Sequence, residues 1–354
     1  MQIKTLNVSY LTAIVAASLL VSNIVSADTL LEQKALKTEL SATLSAAKDP
    51  SENFNLWSFM INIPEPDHKP ERKGKVLEVN EKVLNAGYTH PTWFFTDPQT
   101  GAMVFRAPNK AITTPNSSNV RSELHTMLRR GDLRINEKQP KNNFVLTNHP
   151  DPNKYGAVGG QLSATLAVDW VSTSGDDKKF PAYSVVIGQI HGLGKTEPLK
   201  IFYRKLPNHD HGSLFWNYEI RPADQNQRYD IPNDVWGNHQ LTKASKDPAD
   251  GIELGEIISY VINVENTMMT LTFTKALGTA HEETKVFKHD LGKGLAGHPL
   301  DRGYWDDALH LKAGAYNQCN MSTENPIWGP GCSNDGIEAG DYAQVSFYRL
   351  DLQQ

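Results

Sequence analysis

Three short segments, widely spaced along the chain, carry polar and ionisable side chains at alternate positions. They are Arg121-Ser122-Glu123-Leu124-His125, Gln189-Ile190-His191 and Lys312-Ala313-Gly314-Ala315-Tyr316-Asn317-Gln318. Successive side chains of a β-strand point to opposite faces. Read as strands, the first segment sends Arg121, Glu123 and His125 one way, with Ser122 and Leu124 behind. The second sends Gln189 and His191 one way and Ile190 the other. The third presents Lys312, Tyr316 and Gln318, backed by Ala313 and Ala315. Three such faces lining one groove would gather arginine, glutamine, histidine, lysine and tyrosine. That set can grip a carboxylate and move a proton beside it.

The elements that must position these residues read as β-structure. From Phe54 onward, short alternating or β-branched runs are separated by Gly, Pro, Asn and Asp clusters. Strands are expected at 57–63, 103–106, 121–128, 162–171, 183–191, 200–204, 214–221, 257–264, 268–274, 310–316 and 342–350. A hairpin is expected at Val264-Glu265-Asn266-Thr267, because Ile258, Tyr260 and Ile262 alternate before it and Met269, Leu271 and Phe273 after it. Many short strands with turn-rich links predict an all-β jelly-roll sandwich. No repeat or second composition regime breaks this stretch, so 54–354 is expected to be one domain.

The N-terminus reads as an export signal over 1–27. Lys4 gives a thin positive region, 11–25 is apolar, and Val25-Ser26-Ala27 is a small-residue cleavage pattern. Secreted or periplasmic protein is therefore expected, with no membrane association after cleavage. Residues 28–53 are rich in Ala, Leu, Lys and Glu at helical spacing and are expected to form a short helix or linker. The chain has 35 basic and 40 acidic residues, which argues against a nucleic-acid partner. A groove can still be locally positive on an acidic protein. The only two cysteines, Cys319 and Cys332, read as a disulfide in an exported protein. Metal binding is the rival reading, but no matching His pair accompanies them.

The three motifs, in this order and spacing, resemble the signature motifs of the polysaccharide lyase family 7 alginate lyases. The opening run Phe54-Asn55-Leu56-Trp57, which leads to Pro64, is similar as well. The resemblance implies a jelly roll with a concave substrate-binding sheet that breaks an anionic polysaccharide, alginate, by β-elimination. It implies Arg121, Gln189 and His191 as the groups that neutralise the uronate carboxylate or assist abstraction of the C5 proton. Tyr316 would donate to the leaving O4. In mannuronate H5 and O4 lie syn, so Tyr316 can serve as base and acid; in guluronate they lie anti, and His191 is the expected base. Glu123, His125, Arg129, Lys312 and Gln318 are expected to contact substrate, Glu123 also orienting Arg121. No cofactor is expected, and a monomer is. Ile190 is associated in the family with guluronate or mixed blocks. Two positions depart from the family pattern: His125 stands where the first motif usually ends in Arg, and His310-Leu311-Lys312 replaces the usual Tyr-Phe-Lys.

Two other classes compete. A non-catalytic carbohydrate-binding jelly roll would need no Tyr316 beside Lys312 and His191. A glycoside hydrolase would need two carboxylates facing each other across the groove, and the motif strands offer only Glu123. A lyase for another polyuronate is the nearest alternative.

Overall fold

The structure, a computed structural model, describes residues 31–44, 47–64 and 74–354. The export signal and the first residues of the linker lie outside the described residues.

Two sheets pack face to face. The first runs, in spatial order, β12 (Asp230–Trp236), β11 (His211–Glu219), β10 (Leu199–Arg204), β9 (Ser184–Gly192), β17 (Leu309–Asn317), β5 (Arg121–Thr126), β1 (Phe59–Ile63) and β2 (Leu77–Val79). Short strands β6 (Phe144–Val145), β7 (Ala157–Val158) and β13 (Ile252–Glu253) attach beside this path. The second sheet runs β16 (Glu283–Asp290), β15 (Met268–Lys275), β14 (Ile257–Glu265), β8 (Gly160–Trp170), β18 (Tyr342–Gln353), β4 (Met103–Pro108) and β3 (Phe94–Thr96). Both main paths are antiparallel throughout. This is the expected jelly roll, and strands distant in sequence are brought side by side by its crossovers.

Alternation decides which face is which. Leu124, Ile190, Leu311, Ala313 and Ala315 of the first sheet join Leu166, Ile258, Tyr260, Ile262, Leu271 and Phe347 of the second in one buried core. Their sequence neighbours on β5, β9 and β17 must then point away from that core. The hairpin lies where the pattern places it: Glu265 pairs with Met268 across Asn266-Thr267, and Asn266 takes φ 58°, a left-handed conformation asparagine tolerates.

The helical segment is more than a linker. Its helix spans 31–42, and Leu40, only 2% exposed, packs with Ala102, Ala167, Ile257 and Tyr348 on the outer face of the second sheet. Gln33 Oε1 also accepts the Ile257 N–H at 3.0 Å. Four strands of the two main paths were not foreseen. β12 contains Pro232, which demotes a run to an edge, and β16 is half-exposed along its length. β2 and β3 have three residues each, too few for a period to register.

Candidate active site

The three motif strands are neighbours, with β17 between β9 and β5. Tyr316 pairs with Arg121, Gly314 with Glu123 and Lys312 with His125 across β17 and β5. On the other side, Lys312 pairs with Gln189 and His310 with His191. One row of opposed residues therefore crosses five strands: His125, Lys312, Gln189, Lys200 and Asn217. Gly314 keeps this weave tight. A Cβ there would lie 2.5 Å from the Ser122 carbonyl oxygen and 2.8 Å from Glu123 Cα, and its φ of +148° also favours glycine.

A cleft crosses these strands in two lobes. One, about 320 Å³, is lined by Arg121, His125, His191, His310, Lys312 and Tyr316, among others. The other, about 410 Å³, is lined by Lys200, Glu219, Asp230, Gln318 and Trp328. Tyr316, Ser117, Asn116 and Glu197 border both.

Each chemical group is held by a neighbour. The Arg121 guanidinium lies 3.8 Å above the Tyr316 ring, bonds Glu123 Oε2 at 3.2 Å and donates to Ser117 Oγ at 3.2 Å. The Tyr316 hydroxyl is 2.9 Å from the same Ser117 Oγ. His191 Nδ1 lies 2.8 Å from the Gly192 carbonyl oxygen. A carbonyl only accepts, so that contact puts the proton on Nδ1 and leaves a lone pair on Nε2. Nε2 in turn lies 3.8 Å from Glu197 Oε1. Among the described residues no group of three His, Cys, Asp or Glu is arranged to hold a metal ion.

A family model described as alginate lyase matches residues 54–354, the whole of the sandwich that carries this cleft. The chain belongs to the alginate lyase family. It is 34% identical over 312 residues to an alginate lyase of Klebsiella pneumoniae, covering 86% of this chain and 91% of that one. A crystal structure of the Klebsiella pneumoniae enzyme matches with a TM-score of 0.71 at 30% identity, covering 86% of this chain and 98% of that one. The exolytic family 7 alginate lyase AlyA5 from Zobellia galactanivorans matches with a TM-score of 0.70 at 30% identity, covering 87% and 98%.

The electrostatics of this lyase distinguish its ionisable groups. Burial raises the Tyr316 pKa, and Arg121 over the ring only partly offsets it. Tyr316 is thus a phenol in the free enzyme. His191 is pushed down to about 3 by burial and by Lys312, and so is neutral. Lys312 is lowered to about 8 by burial and Arg121, against the pull of Glu123. Burial works against the Glu197 charge, yet Lys200, which also donates to it, and Lys312 hold this carboxylate ionised.

Several expected contacts take other places. Gln189 is fully buried, and its amide nitrogen donates to Glu123 Oε1, so it lies behind the lobe rather than on its wall. Glu123 is likewise 1% exposed and faces Arg121, Lys312, His125 and Gln189. It orients cations and is not a wall of the cleft. Arg129 is the clear correction. Its guanidinium bonds both oxygens of Glu81, at 2.7 and 3.0 Å, and the Ile135 carbonyl, so it is a structural clamp and lines neither lobe. His125 and Lys312 do line the first lobe and Gln318 the second. Gln318 is also tied in place, accepting from Asn119 Nδ2 and donating to the Tyr316 carbonyl.

Ser117 and Glu197 escaped the reading of the sequence. Both sit in loops, where no period reveals direction. For Glu197 the one available signal is its position six residues after His191 and three before Lys200. Of the nearby basic residues, Lys200 bonds Glu197 at 2.7 Å and Asp230 at 2.9 Å. Arg204 is pinned to backbone carbonyls of Ala182, Leu241 and Asp177. Cys319 and Cys332 form the expected disulfide.

Proposed function

We propose that this lyase is exported to the periplasm or the medium and cleaves the 1,4-glycosidic bond of alginate by β-elimination, accepting guluronate or mixed blocks. The C5 proton is α to a carboxylate, so its removal builds a dianion-like enolate. Arg121, aligned by Glu123, offers a planar fork to that carboxylate. Lys312 adds a buried cation to the same lobe. Gln189 acts through Glu123 to keep Arg121 in place. His191 Nε2 accepts the C5 proton, and the Tyr316 hydroxyl protonates O4 as the bond breaks and the C4–C5 double bond forms.

One observation carries the guluronate branch: the Gly192 carbonyl keeps the His191 proton on Nδ1 and leaves Nε2 free as a base, in line with burial that disfavours the imidazolium and keeps Tyr316 a phenol. Elimination across the anti arrangement needs two groups in those states. The syn route through Tyr316 alone needs a phenolate, which burial opposes. The low proton affinity of His191 rises when substrate binds, because a uronate carboxylate neutralises the positive field of Arg121 and Lys312. Acid–base assistance of this kind contributes roughly 10²–10⁴-fold per group.

The test is digestion of purified polyguluronate and polymannuronate while following the ultraviolet absorbance of the unsaturated uronate. New reducing ends without that absorbance would mean hydrolysis and overturn the elimination. Absence of that product from polyguluronate and from mixed blocks would overturn the acceptance of guluronate. Export is checked separately, by N-terminal sequencing of secreted protein, which should begin at Asp28.

A further inference from the structure

At the β1 end of the first lobe, three side chains from adjacent strands carry polar atoms that make no hydrogen bond among the described residues. Asn62 on β1 is fully buried; its Nδ2 donates to Glu78 Oε1 at 3.5 Å, and its Oδ1 accepts no hydrogen bond among the described residues. His125 Nε2 on β5, which lies 3.8 Å from Glu123 Oε2, and His310 Nδ1 on β17 are also buried and make no hydrogen bond among the described residues. All three residues line the same lobe. The imidazoles of His191, His310 and His125 stack in a column, with ring centroids 5.1 and 5.8 Å apart. The column sets the planes of the rings and so fixes where their nitrogens point. Buried polar atoms without partners are uncommon in native proteins, and a cluster of them on a cavity wall points to a ligand.

The charge at this end indicates what kind of group binds. Beyond His125 the lobe is bordered by Glu78, Glu137 and Lys138, so a carboxylate here meets two acids and one exposed lysine. Protonation of the column is opposed by burial and by Lys312, Arg121 and the other rings. The residues that replace the family's usual arginine and tyrosine are these two histidines. The change removes a fixed cation from the site and leaves uncharged groups able to donate or accept.

We propose that Asn62, His125 and His310 form a subsite that binds the hydroxyls of the uronate one unit along from the reacting sugar, rather than its carboxylate. His125 and His310 then set how much each added unit improves binding. The inference rests on the alginate reading above and refines it.

Oligouronates of increasing length test this, with kcat and KM measured at low and high salt. In wild type, KM should fall when the chain becomes long enough to fill the subsite, and this gain should change little with salt. His125→Phe and His310→Phe keep an aromatic ring for the column but remove the nitrogens. Each should shrink the gain by roughly 5- to 10-fold, the worth of one or two hydrogen bonds, with KM rising more than kcat falls. His310→Gln, which keeps a hydrogen-bonding group, should recover part of it. His125→Arg should make the gain strongly salt-sensitive. Thermal melts identify any variant that fails to fold, and the wild-type salt series decides independently of them. The proposal is overturned if folded Phe variants keep the full gain, or if the wild-type gain is as salt-sensitive as that of His125→Arg. Absence of cleavage at every length by wild type would instead remove the alginate reading itself.

Discussion

Lys312 packs against Glu123 with Arg121, Glu197 and His125 nearby, and burial lowers its pKa to about 8. A group in that state makes substrate capture pH-dependent. Below about 8 the ammonium is present and attracts the uronate carboxylate; as pH rises through about 8 it is lost. The pH profile of kcat/KM, which reports the free enzyme, should therefore fall on the alkaline side near that value. Lys312→Arg keeps its charge to far higher pH and should move the limb upward. An unmoved limb would assign it to another group. At Arg121 the fork matters more than the charge. Arg121→Lys should lower turnover as well as affinity if the carboxylate is gripped harder in the transition state. A rise in KM alone would make Arg121 a ground-state anchor only.

At the scale of strands, alternation was enough to say which way each motif residue points, and Ile190 and Ala315 do lie in the core. It could not say how deep a side chain sits. Gln189 and Glu123 share the face of Arg121 yet lie beneath the cleft, because opposed residues on three adjacent strands compete for one surface. Nor could it find Ser117 or Glu197, whose positions follow from how two loops fold back over the sheet. Arg129 looked like a substrate contact because its partner, Glu81, is 48 positions away. The close approach of β17 and β5 gives a direct check. Gly314→Ala forces a Cβ into the β5 backbone and should destabilise by about 1–3 kcal/mol. Since β5 carries Arg121, turnover should fall even below the melting transition. Wild-type stability would show that the strands have room to part. The helix at 31–42 makes the opposite prediction. Leu40→Ala should lower stability by about 2–4 kcal/mol and leave the chemistry intact in folded protein, because its contacts lie on the sheet remote from the cleft.

Over the whole molecule, the sandwich, its order of motifs and its single disulfide were legible from turn spacing, parity and the count of cysteines. The edges were not, because an edge strand such as β16 need not bury a face. The disulfide links stability to the second lobe. Its loop carries Trp328, whose ring lies 4.6 Å from Lys200 Nζ and packs against Phe180. Replacing both cysteines with serine should cost about 3 kcal/mol in the chain-entropy model. It should also raise KM for long chains more than for short ones.

In the proposed elimination His191 and Tyr316 divide the proton transfers, one as base and the other as acid. Turnover of Tyr316→Phe and His191→Asn on polyguluronate and polymannuronate tests it most directly, with folding verified by thermal melts. Folded Tyr316→Phe should lose nearly all turnover on both polymers, since O4 leaves without a proton. His191→Asn should lose far more on polyguluronate than on polymannuronate. Wild-type-like turnover by Tyr316→Phe, or equal losses on both polymers by His191→Asn, would contradict it.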